Sequence, residues 1–106
     1  MIIQTNLLPA KFDATTVWPF IFVRPENAND KALITHEMVH YIEQRNCGVL
    51  PWLICYALSK KFRLMAEVRG YKKQIAIGGI TIDQAAACLT NYSTGITLEQ
   101  AHTALM

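Results

Sequence analysis

The chain reads as an α+β domain: a small sheet near the N-terminus, a helix that carries the chemistry, and a mostly helical C-terminal part. Three observations predict this. Val17-Trp-Pro-Phe-Ile-Phe-Val-Arg24 is dense in aromatic and β-branched residues, the composition of strands. From Lys31 onward apolar residues recur at helical spacing, punctuated by Gly48, Pro51 and Gly78-Gly79. Apolar residues make up 52% of the 106 positions and charged ones 17%, enough for a compact body in one domain over residues 1–106.

Met1 to Thr5 predicts a short strand, and Asn6 to Thr16, with Pro9 and scattered polar residues, a loop. Val17 to Arg24, closed by Pro25, predicts a single strand. Pro19 cannot donate a ladder hydrogen bond, so that strand lies at a sheet edge or begins after the proline. Glu26 to Asp30 is a polar turn in which Asn29 or Asp30 caps a helix from about Lys31 to Asn46. Ala32, Leu33, Val39 and Ile42 are spaced to bury one side of it, and Gly48 stops it with a positive φ. Pro51 suits the first turn of a second helix reaching about Ser59. A third, Lys61 to Ile77, runs through Phe62, Leu64, Met65, Val68 and Tyr71 to Gly78-Gly79. Ile80 to Leu89 then recurs as Ile96 to Leu105, each copy opening on a Thr-x-x-Gln capping box with an acidic residue in the first turn. These predict two small helices with alanine faces in a structural, packing role.

Several function classes are excluded at this level. A net charge of +2 with no dense basic stripe argues against a nucleic-acid partner, and Lys60-Lys61-Phe62-Arg63 reads as a solvated face. Cys47, Cys55 and Cys88 are odd in number and lack CxxC spacing, so neither a disulfide framework nor a thiolate metal site is expected. They read as reduced, mostly buried residues of a cytoplasmic protein. No basic region followed by an apolar stretch opens the chain, which argues against a signal peptide. Val49 to Leu58, the longest apolar run, is broken by Pro51 and is about half of what spans a bilayer. A membrane-surface role for Val49 to Arg63 is a weaker reading, and self-association is left open.

The chemistry concentrates in His36-Glu37-Met38-Val39-His40. Histidines four apart on a helix lie about 40° apart around its axis and one turn apart along it, so both rings can reach one metal ion. Glu37 is angularly offset from them and can act as a base beside the metal without binding it. This is the HExxH spacing of zinc hydrolases. Such a site needs a third protein ligand and an open position for water. His102, Glu43 and Glu67 are the candidates. Glu67 is preferred, because it sits on a separate helix and small Ala66 and Gly70 beside it allow close approach; the competing reading pairs it with Arg63 as a surface ion pair.

His36-Glu37-Met38-Val39-His40 followed by Glu67-Val68-Arg69-Gly70-Tyr71 resembles the gluzincin metallopeptidases, and the brevity of the chain is similar to minigluzincins and small phage-encoded metallopeptidases. The resemblance covers about residues 17 to 77. It implies a zincin-like fold with a small edge-exposed sheet packed on the active-site helix, and zinc held by His36, His40 and Glu67. It further implies peptide or protein substrates, Glu37 as general base, and Tyr71 or His102 as the donor to the developing oxyanion. The host cytoplasm is the expected location if the gene is a phage's. A strand at Phe20 to Arg24 would bind extended peptide by strand addition. The alternative is a non-catalytic interaction or structural protein, such as a phage accessory protein, with a stabilising metal or none.

Overall fold

The computed structural model describes residues 1–9, 12–92 and 94–106. Within these, three strands form one sheet and five α-helices follow: β1 (Ile2–Gln4), β2 (Ala14–Val17), β3 (Phe20–Val23), α1 (Lys31–Cys47), α2 (Val49–Leu58), α3 (Lys60–Ala76), α4 (Ile82–Thr90) and α5 (Leu98–Leu105). A single 3-10 turn, Pro25–Asn27, links sheet and helices. The α+β class and all five expected helices are present, the helices within two residues of their expected ends.

The sheet corrects the reading of its strands. Val17 to Arg24 is not one strand but the turn and second arm of a hairpin, bent at Trp18 and cis Pro19. The first arm, β2, comes from the stretch expected to be a loop, of which Ala10 and Lys11 lie outside the described residues. The strand order is β1-β3-β2, with β1 parallel and β2 antiparallel to β3. β3 does begin after the proline, but it is central, so Phe20 to Arg24 has no free edge for strand addition. The edge facing the helices belongs to β2.

Arg24 N–H donates to Asp13 O at 3.1 Å, which makes residues 13, 15 and 17 the ones that bond to β3. Ala14 and Thr16 therefore turn their main-chain groups outward. Gln44 of α1 meets that edge with both ends of its amide: Nε2 donates to Thr16 O (3.0 Å) and Oε1 accepts from Trp18 N–H (2.7 Å). These bonds fix α1 beneath the hairpin.

α1 starts where Asp30 accepts from Leu33 N–H (3.1 Å) and ends at Gly48, whose φ of 95° suits glycine. Its buried residues are Ala32, His36, Glu37, His40 and Gln44. The expected apolar face is thus displaced: Leu33 and Val39 are half-buried and Ile42 is 43% exposed. On α3, Ala66, Glu67, Val68, Gly70, Tyr71 and Gln74 are buried, while Met65 is exposed. Both capping boxes form, at Thr81 with Gln84 and at Thr97 with Gln100. Ala85, Ala86 and Ala101 let α4 and α5 nest against Val68 and Tyr71, with Leu89 and Leu105 completing that core.

Two cysteines depart from expectation: Cys47 and Cys55 are exposed and only Cys88 is partly buried, all three free. α2 leaves Leu50, Ile54 and Leu58 exposed. Among the described residues no helix is long and apolar enough to cross a membrane.

Candidate metal centre

α1 and α3 cross closely enough that His36, His40 and Glu67, all buried, bring one ligand atom each within 4.8 Å of one another. No other such group exists among the described residues. Glu67 Oε1 is 2.7 Å from His40 Nε2 and 3.6 Å from His36 Nε2. The crossing depends on small residues of α3. Ala66 is fully buried, and a Cβ at Gly70 would stand 2.7 Å from His36 Nε2, in the space the ring fills.

The remaining ring nitrogens are oriented from behind. Gln74 Oε1 lies 3.0 Å from His36 Nδ1, where an amide oxygen accepts from Nδ1–H, and Nε2 is the ring nitrogen that faces Glu67. Behind His40, Glu43 Oε1 is 3.6 Å from Nδ1. Glu43 is itself held by Arg69 and by Trp52 Nε1 (3.3 Å). It supports the site instead of completing it. Among the described residues, neither nitrogen of His40 has an aligned hydrogen-bond partner, Nε2 included despite its 2.7 Å approach to Glu67. A buried, unsatisfied imidazole beside a carboxylate is what a cation in their midst would satisfy. Two imidazoles and one carboxylate suit a divalent metal of the zinc type.

The charges are strongly coupled. Burial works against ionisation of Glu67, but contacts from His36 and His40 outweigh it and hold the carboxyl down at about 2. Burial likewise disfavours a charged His40, yet the Glu43 and Glu67 carboxylates, with Glu37 beyond, push it up to about 10. Glu43 is also depressed, burial being outweighed by His40 and Arg69.

Glu37 lies beside the cluster and outside it. Its Oε1 accepts from Thr16 Oγ1 at 2.8 Å, and its Oε2 stands 3.9 Å from His36 Nε2. It lines two cavities. The first, 280 Å³, runs past His36, Tyr71 and Gln74 to Cys88, Asn91 and Tyr92. The second, 230 Å³, lies over His40 and Glu67, between Trp52, Leu53 and Tyr56 on one side and Ala14 to Val17 on the other. Side chains alternate across a strand, so a cavity touching four consecutive residues of β2 meets its edge. Phe12, Ala14, Glu37 and Tyr92 line both cavities.

Tyr71 packs edge-on against His36, ring centroids 4.4 Å apart, and its hydroxyl is 3.1 Å from that of Tyr92. Burial pushes both phenols up, as it does Tyr56. His102, the other donor expected, is half-exposed on α5, lies 3.2 Å from Asp83 and lines neither cavity.

Sequence reasoning missed Thr16, Gln44, Trp52, Gln74 and Tyr92. Gln44 alone carried a signal, since it continues the four-residue spacing of His36 and His40. Thr16, Trp52 and Tyr92 reach the site through the tertiary fold. No protein-family model, curated protein or solved structure matches the chain.

Proposed function

We propose that this chain is a minimal zinc-dependent peptide hydrolase with a gluzincin-like ligand set and a zincin-like arrangement of sheet and helix. One observation carries the reading: two histidines of an HExxH helix converge with a glutamate of a second helix, while the glutamate between the histidines stays out of the ligand group and faces a cleft.

His36, His40 and Glu67 would hold the zinc, which when bound would supply an acidified water and a Lewis acid. Glu37, a buried carboxylate beside that group, would serve as the base that accepts a proton and returns it to the leaving amine. The β2 edge receives the substrate as an added strand through Ala14 and the Thr16 N–H; among the described residues no protein group bonds to these. Tyr71 and Tyr92, kept protonated by burial, hold hydroxyls on the wall of the first cavity as donors to the carbonyl oxygen. Trp52 packs on His40, ring centroids 5.3 Å apart, and with Leu53 and Tyr56 walls the second cavity.

The test is the Glu37→Gln variant assayed on an unfolded protein after loading with zinc. It is expected to retain the metal and the fold and to lose at least about 100-fold in cleavage rate. Equal rates for variant and parent would reject the hydrolase and favour a non-catalytic, metal-stabilised module.

A further inference from the structure

We propose that Thr16 is a positioning residue that keeps Glu37 off the metal, so that the carboxylate remains a base and does not become a fourth protein ligand. The inference rests on the metal-centre reading above. Oε2 of Glu37 reaches only the edge of the ligand group, 3.9 Å from His36 Nε2, whereas Oε1 of Glu67 is within reach of both rings, 3.6 Å from His36 Nε2 and 2.7 Å from His40 Nε2. Helix geometry offsets Glu37 from the two histidines, but its carboxylate remains close enough to turn inward, and a fourth protein ligand would fill the position that water needs.

The other oxygen of Glu37 is held from the strand side. Thr16 Oγ1 donates to Glu37 Oε1 at 2.8 Å, and its only other acceptor among the described residues, at 3.2 Å, is the main-chain oxygen of the same residue. The hydroxyl therefore spends its single proton on residue 37. It cannot follow the carboxylate inward, because its strand is fixed on both sides. Thr16 pairs with Ile21 of β3, and its carbonyl accepts from Gln44 Nε2. Thr16 is 5% exposed, and the low local dielectric of a buried site strengthens the bond.

Cobalt, which takes zinc's place among nitrogen and oxygen ligands, makes a change in its ligand set visible in its absorption spectrum. Parent, Thr16→Val and Thr16→Ser proteins are loaded with cobalt alone, and thermal unfolding is recorded for each. Parent and Thr16→Ser are expected to share one visible band. Thr16→Val, equal in shape but lacking the hydroxyl, is expected to show a shifted band, a carboxylate having replaced water among the ligands, and several-fold tighter cobalt binding. Adding Glu37→Ala to it restores the parent's band. Thr16→Ala substitutes if the valine variant does not fold. A folded Thr16→Val protein with the parent's band and affinity overturns the role of Thr16 while leaving the metal centre standing. Failure of all the proteins to take up cobalt overturns the metal centre and this inference with it.

Discussion

The His36 ring occupies the space that a side chain at Gly70 would need, with Nε2 only 2.7 Å from where a Cβ would be. Gly70 thus serves the ligand on the opposite helix. Gly70→Ala is expected to displace His36, costing about 1–3 kcal/mol of stability through overpacking. Metal affinity should fall with it. Zinc titration and thermal unfolding of the variant check both effects, and a variant that binds zinc as the parent does would show the crossing to be looser than described.

Gln74 and Glu43 stand behind the two histidines, one on each Nδ1 side. Gln74→Ala removes the acceptor that fixes the His36 tautomer, and Glu43→Gln removes the charge beside His40. Each is expected to weaken zinc binding about 10–100-fold with the fold retained. Competition with a coloured chelator measures the loss.

Metal uptake should be coupled to protons. His40 is raised to about 10 in the metal-free protein, so at pH 7 it is charged, and zinc must displace that proton. Calorimetry in buffers of different ionisation enthalpy should report about one proton released. The metal-free protein also has its own pH window. Glu67 is depressed to about 2 from 4.5, so its contribution is present above about 4.5 and lost as pH falls toward 2. His40 is raised from 6.5, so its contribution is full below about 6.5 and lost as pH rises toward 10. Stability without metal should therefore peak between about 4.5 and 6.5. Denaturant midpoints across pH, with a chelator present, test the shape.

His102 and Tyr92 invite opposite outcomes. His102→Ala removes an exposed ion pair with Asp83 and should leave turnover and zinc unchanged, with stability within about 1 kcal/mol. Tyr92→Phe removes a hydroxyl from the cleft wall and should lower kcat about 100-fold at constant KM. A Tyr92→Phe protein with the parent's kcat would assign the oxyanion contact to Tyr71 alone.

The helices were legible because their punctuation is local: Asp30, Gly48 and the two threonine caps announce themselves in sequence, whereas Ser59, read as the end of α2, proves to be the cap of α3. The face of α1 was not, because its buried stripe is His36, Glu37, His40 and Gln44, and apolar periodicity points elsewhere on a helix whose interior is polar. The hairpin was misread because strand-forming residues run unbroken through the turn at Trp18 and Pro19, and because Ala14 and Thr15 carry no strong strand signal. His36, His40 and Glu67 were found from spacing and small neighbours. The groups that orient them were not, since Gln74, Thr16 and Tyr92 gain their meaning only from packing between distant segments.

The amide of Gln44 gives β2 more than an anchor. It occupies Thr16 O and Trp18 N–H, so the strand is open over only part of its length, and the residue that closes it lies one helical turn beyond His40. On the function proposed above, a polypeptide laid along the remaining edge would be indexed to α1. It could not slip past the stop toward Trp18, nor could a second sheet zip onto the edge from that end. The helix that carries His36 and His40 would then also be the ruler against which a bound chain is measured.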